Sequence, residues 1–155
     1  MADRTGSPPL PGAVLFACNF NRIRSPMAEA LLRRDFGDRI YVDSCGVRLD
    51  ARAEDLGPVD PFVEAVMAEV GCDLSSHRAK TFEDLNADSF DLVISLTPQA
   101  QHRAVEMTRG RAVTIEYWPT YDPTGTDGSR EAQLATYRQV RDDLAAHITR
   151  RFAPS

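Results

Sequence analysis

Cysteine is scarce in this chain: Cys18, Cys45 and Cys72 are the only three in 155 residues. An odd, scattered set does not fit a secreted disulfide framework and has no zinc-ligand spacing, so no metal is expected. No apolar run is long enough to span a membrane. The start of the chain has no signal-peptide h-region. Basic residues are not in excess either: the net charge is -5, which argues against a general nucleic-acid or membrane-binding surface. These absences make the cytoplasm the expected compartment, with no nucleic acid and no membrane as partner. Internal repeats are missing. Residues 1–12, rich in Pro, Gly and Ser, are expected to form a flexible segment ahead of one domain over residues 13–153.

What the chain does contain is an alternation of short apolar runs and helical patterns. Ala13–Ala17, Ile40–Asp43, Asp91–Leu96 and Ala112–Glu116 read as buried strands. Between and after them, Ser25–Phe36, Pro61–Val70, Pro98–Thr108 and Ser129–Phe152 read as helices. Strands buried on both faces with helices between them predict an α/β fold, a parallel sheet with helices on both faces. Ser25 suits a cap with Pro26 at the first helical position, and Thr97 suits a cap before Pro98. Gly37, Gly71 and Gly110 fit helix stops. Leu134, Tyr137, Val140, Leu144, Ile148 and Phe152 form one apolar stripe for packing on the sheet. In such sheets ligands bind beyond the carboxyl ends of the strands. Cys18, Ser44, Thr97 and Asp122 all follow strands and gather at that edge.

The stretch Cys18-Asn19-Phe20-Asn21-Arg22-Ile23-Arg24-Ser25 lies between a strand and a helix. A strand, a tight loop and a helix N-terminus make an anion-binding site, because backbone N–H groups and the helix dipole converge there. The same field favours thiolate over thiol at Cys18, and the thiolate is the nucleophile. Arg24 can hold two phosphate oxygens at once. The backbone N–H groups of Asn19, Phe20, Asn21, Arg22 and Ile23, with that of Arg24, can surround the phosphate. Ser25 is placed to donate toward the Cys18 sulfur. Asn21 tolerates a left-handed conformation and can brace the loop.

Metal-free phosphomonoester hydrolysis also needs an acid for the leaving oxygen. Asp122, in the proline-containing loop Glu116–Gly125, is the candidate. Trp118 and Tyr121 would give it apolar surroundings and help hold it protonated. The chemistry thus read is a phosphatase working through a cysteinyl-phosphate, with no cofactor.

These residues resemble the low-molecular-weight protein tyrosine phosphatases, whose signature is Cys-x5-Arg-Ser followed by Pro-Met-Ala-Glu. Here Cys18, Arg24, Ser25 and Pro26-Met27-Ala28-Glu29 carry it. Ser44-Cys45-Gly46 is similar to the family's Ser-Ala-Gly, and Gly71–Ala79 to its Gly-hydrophobic-Asp-x-Ser-x-His-x-Ala segment. Phe90–Ile94 resembles its third strand and Asp122-Pro123 its acid. The resemblance implies a single α/β domain whose four parallel strands run in the order 2-1-3-4. It implies Cys18 as nucleophile, Arg24 as phosphate binder and Asp122 as acid and then base. It also implies Asn21, Ser25, Ser44 and His77 as the network holding the loop. The implied substrate is a phosphorylated protein, by class phosphotyrosine, or a small phosphomonoester.

The sequence departs from the pattern in the loop itself. Phe20 stands where the family usually has Gly, so its side chain must point away from the phosphate or form part of the rim. Ile23 replaces a frequent second cysteine, which removes the usual loop disulfide. Cys45 reads as a buried small hydrophobe, with a disulfide to Cys18 as the alternative. The aromatics that wall the family's pocket are replaced by Val47-Arg48-Leu49-Asp50 and Thr124-Gly125. Trp118 and Tyr121, before the acid, are either loop packing or a substitute wall. Two competing functions remain. Thioredoxin-coupled arsenate reduction uses the same loop but needs two relay cysteines after the third strand, where Ser95–His102 has none. A non-catalytic phosphate-binding module is the other.

Overall fold

Each apolar run becomes a strand of one sheet. The computed structural model describes residues 10–52 and 55–153. Its strands are β1 (Ala13–Cys18), β2 (Tyr41–Gly46), β3 (Leu92–Ser95) and β4 (Thr114–Tyr117). All pairings are parallel and the order is β2-β1-β3-β4. The helices are α1 (Arg24–Phe36), α2 (Pro61–Ala68), α3 (Pro98–Met107) and α4 (Arg130–Phe152). Short 3₁₀ turns fill Phe82–Asp84, Ala87–Ser89 and Pro123–Gly125. Among the described residues no helix is long and apolar enough to cross a membrane.

β1 is central, and every one of its residues is buried. Its side chains alternate between two cores, as strand geometry requires. Val14, Phe16 and Cys18 enter the core built with α1, α2 and α4. Ala13, Leu15 and Ala17 enter the smaller core with Phe82, Phe90, Ala100 and Ala104. Helices therefore cover both faces. The whole α4 stripe, from Leu134 to Phe152, is buried in the first core. Each fully buried large apolar side chain contributes roughly 1.5–3 kcal/mol. Phe16 is the largest of them in the central strand.

Several boundaries differ from the sequence reading. α1 begins at Arg24, and Ile23, not Ser25, takes the N-cap position without a side-chain cap bond. Ser25 is withdrawn from capping because its hydroxyl serves the active loop. β2 runs on to Gly46, since it stays paired with β1 as far as Cys18↔Gly46, so Ser44 lies inside the strand. β4 starts later than expected and is only half-buried, as an edge strand is. Gly37 is not left-handed (φ -64°); a Cβ there would run into the Arg33 carbonyl. α2 ends at Ala68 and its missed cap is Asp60, which accepts from the Phe62 N–H at 2.8 Å. Thr97 and Ser129 cap α3 and α4. Of the segment expected to be flexible, residues 10–12 are held: Leu10 packs on the core and the Gly12 N–H bonds Asp91 at 2.9 Å. Its remainder lies outside the described residues.

Candidate active site

β1 delivers Cys18 to the carboxyl edge of the sheet, and the chain turns at once through Asn19–Ile23 into α1. The turn depends on Asn21, at φ 58°, the left-handed position expected of it and the only non-glycine one among the described residues. Its other requirement is Gly46. A Cβ there would stand 2.8 Å from the Asn21 nitrogen and 2.9 Å from the Asn19 oxygen, so only glycine lets β2 back the loop this closely. The Val47 and Arg48 N–H groups then bond the Cys18 and Asn19 carbonyls at 3.0 and 3.1 Å.

A hydrogen-bond chain behind the loop has a direction. Glu29, buried on α1 and paired with Arg33 at 2.6 Å, can only accept as a carboxylate. Ser44 therefore donates to it. The Ser44 oxygen is left to accept from Asn21 Nδ2 at 2.9 Å. The second Nδ2 proton goes to Ser25 Oγ at 2.8 Å. Ser25 keeps its own proton for the Cys18 sulfur, 2.9 Å away, when that sulfur is a thiolate. The Cys45 carbonyl is its longer alternative at 3.3 Å. Asn21 Oδ1 accepts from the Lys80 N–H at 3.1 Å. His77 Nε2 lies 2.9 Å from the Asn21 carbonyl. That oxygen can only accept, so the neutral ring carries its proton on Nε2. Burial keeps the His77 ring below its usual pKa, outweighing the Asn21 carbonyl and the Glu29 charge. The expected network of Asn21, Ser25, Ser44 and His77 is thus one connected unit.

Cys18 opens onto a cavity of about 550 Å³, which Arg24 and Asp122 also line. Arg24 Nη1 donates to the Thr120 carbonyl at 3.1 Å, tying it to the loop that carries Asp122. Asp122 caps the turn Pro123–Gly125. It accepts from the Thr124 N–H at 3.0 Å and the Thr124 hydroxyl at 2.7 Å. Burial pushes its carboxyl up, but the Thr124 bonds and the Arg24 charge together win, and its pKa falls below the usual carboxylate value. Arg22 does not turn its side chain to the anion. Its guanidinium holds the carbonyls of Gly57 (2.7 Å) and Leu56 (3.2 Å), which leaves only its backbone for a phosphate.

The family model for low molecular weight phosphotyrosine protein phosphatase matches residues 13–152. The chain belongs to that family. It is 31% identical over 135 residues to a glutaredoxin arsenate reductase of Synechocystis sp., covering 87% of this chain and 92% of the relative. A solved low molecular weight protein tyrosine phosphatase from T. tengcongensis is 28% identical, with a TM-score of 0.69 over 88% of this chain and 95% of that one. An arsenate reductase solved in a phosphate-binding state is 29% identical, with a TM-score of 0.68 over 90% and 95%.

This member of the family differs from the sequence expectation around its acid. Trp118 is buried, edge-on to Phe16 at 5.9 Å and stacked on His147 at 3.7 Å. It is loop packing. Tyr121 is 65% exposed and borders α4 outside the Cys18 cavity. Neither supplies an apolar jacket for Asp122, whose burial effect is overcome by the Thr124 bonds and the Arg24 charge. Among the described residues Phe20 is the only aromatic lining the cavity, so it is part of the rim. Ile23 also lines it, and Asn19 Oδ1 accepts from Thr97 Oγ1 at 2.7 Å. All three cysteines are free. Cys45 packs in the core with Leu15 and Ala17, on the sheet face opposite the core that holds Cys18. Burial raises its thiol pKa well above the usual value, with the Cys18 charge adding to this. It is the small hydrophobe of the sequence reading.

Glu29 and Gly46 were within the quoted motifs but had no stated role. Glu29 could have been found as a lone acid among the buried apolar positions of α1. Gly46 could have been found as a glycine at a strand end facing the loop. No local signal marks the backbone of Lys80, or Thr97 as a partner of Asn19.

Proposed function

We propose that this chain is a metal-independent phosphomonoesterase that hydrolyses phosphotyrosine in proteins through a cysteinyl-phosphate. A small phosphomonoester is the alternative form of the same substrate. The observation that carries the reading is the Cys18 sulfur, 2.9 Å from the Ser25 hydroxyl, in a cavity shared with Arg24 and Asp122. The thiolate attacks phosphorus and the P–O bond to the leaving group breaks. Asp122 gives its proton to the departing oxygen, and the phosphate stays on sulfur. Water then attacks phosphorus, Asp122 takes one of its protons, inorganic phosphate leaves and the thiolate returns. Because Asp122 is acidified in the resting site, it must take up its proton as phosphate binds, when the added negative charge raises its proton affinity. Arg24 and the loop N–H groups bear the charge of the equatorial oxygens throughout.

The second reading, arsenate reduction, is favoured by the relatives that bear that name. It needs two electrons from thiols. Only Cys45 and Cys72 accompany Cys18, and Cys45 is sealed in the other core. Reduction here would oxidise Cys18 and one external thiol to a mixed disulfide as arsenite leaves, and a second external thiol would then cleave that disulfide to restore the Cys18 thiolate. Parallel assays decide: p-nitrophenyl phosphate and phosphotyrosyl peptides on one side, arsenate with glutaredoxin or thioredoxin on the other. Hydrolysis that survives chelators and vanishes in Cys18→Ser supports the phosphatase. Arsenate turnover with negligible hydrolysis overturns it. Phosphate binding with neither activity would favour the non-catalytic module.

A further inference from the structure

The aromatic walls that the family pattern leads one to expect are absent from both of their usual places, yet one aromatic does line the cavity. Phe20 belongs to the phosphate loop itself, two residues after Cys18. Its ring is not loose. The Arg48 guanidinium lies over it, 5.1 Å from the centroid. The Arg48 backbone N–H bonds the Asn19 carbonyl at 3.1 Å, which ties the arm that follows Gly46 to the loop. Phe20 borders the cavity and Arg48 does not. Ile23, Leu56 and Pro61 supply the other apolar surface of the cavity. Leu56 is held there by the Arg22 guanidinium, which bonds its carbonyl.

We infer that Phe20, backed by Arg48, is the specificity-determining platform for the leaving group, and that the group it selects is an aryl ring. This rests on the phosphomonoesterase reading of the same cavity and adds the residue that would select an aryl over an alkyl ester. An aromatic ring beside a bound phenyl group gains offset or edge-to-face contact that an alkyl chain cannot match. The Arg48 guanidinium over the ring helps to fix it and is not itself among the residues that line the cavity.

Binding of phenylphosphonate and methylphosphonate, measured by calorimetry on the full chain, tests this without requiring turnover. The two probes share the anion and differ in the ring. The wild-type chain is expected to favour phenylphosphonate, and Phe20→Ala to reduce that preference by roughly three- to tenfold. Phe20→Leu keeps apolar bulk in the loop but not the π face, and is expected to reduce the preference as well. No preference in the wild type, or an undiminished one in both variants, overturns the inference. So does loss of methylphosphonate binding in both variants, because Phe20 would then shape the anion loop rather than the slot. Failure of the phosphatase reading shows separately, as absent hydrolysis in a chain that still prefers the phenyl probe.

Discussion

Cys18, Asp122 and Thr124 divide the proposed chemistry among single side chains. Cys18→Ser should abolish hydrolysis while inorganic phosphate still binds, which a competition measurement reads directly. Asp122→Ala should lower kcat by about 10²–10⁴-fold on aryl phosphates with poor leaving groups, and far less on p-nitrophenyl phosphate. The contrast matters because only the poor leaving group needs the proton. Thr124 tunes the acid. Thr124→Val removes the hydroxyl bond that helps acidify Asp122. The carboxyl should then hold its proton to higher pH, and the limb of the pH–rate profile belonging to Asp122 should move upward. An unmoved limb would separate Asp122 from that proton transfer. At this scale the sequence named the groups that come to share one cavity, Cys18, Arg24 and Asp122, but misjudged the surroundings of Asp122. Trp118 and Tyr121 stand four and one positions before Asp122, yet one turns into the core and the other out to solvent. Sequence distance does not report side-chain direction.

The elements matter because the loop is shaped by its neighbours as much as by its own residues. The last residue of β2, Gly46, touches the loop backbone at Asn19, Phe20 and Asn21. Gly46→Ala forces a methyl into contacts of 2.8–2.9 Å with backbone atoms that have no free side-chain end to swing aside. The expected cost is about 1–3 kcal/mol of stability. It should appear as a lower melting temperature together with weaker phosphate inhibition. α1 contributes Glu29, whose carboxylate orients Ser44, Asn21 and Ser25 in turn. The strand–loop–helix order was legible because β1 is a continuous apolar run and α1 opens with Pro26 in its first turn. The start of α1 was not, because Ser25 looks like a cap by residue type. Its hydroxyl is claimed by a cysteine seven positions earlier. β4 was misread as buried because apolar content does not reveal that a strand lies at the sheet edge.

For the molecule as a whole, protonation and folding are coupled in one direction. His77 and His147 both sit below the ordinary histidine value of 6.5, chiefly through burial. The unfolded chain therefore takes up protons at a higher pH than the folded one does. Stability should be full above about pH 6.5 and fall as the pH drops toward the folded values. Glu69, acidified to about 2 by Arg138 and Arg141, acts in the same sense over a lower window beneath its ordinary 4.5. Denaturant midpoints between pH 7.5 and 5.5 should decline, and His77→Gln should flatten the slope. A slope that is unchanged in the variant would remove His77 from the cause. The two windows stay apart because histidine and glutamate titrate separately in the unfolded chain.

Sequence alone determined that this is one α/β domain. Period-two burial cannot be satisfied by continuous apolar runs, and the helical stripes between them need a sheet to cover. It also determined a thiol and an arginine at a strand-to-helix turn, because those groups are neighbours along the chain. The tertiary structure decided everything that depends on groups distant in sequence. It joined Glu29, Ser44 and His77 to the loop and drew Asp122 toward Arg24. It sent Cys45 to the opposite face of the sheet from Cys18. It also gave Phe20 an Arg48 backing that no local pattern encodes. Parallel strands separate neighbours in the sheet by whole crossovers, so the contacts that orient a proton or select a leaving group are long-range ones.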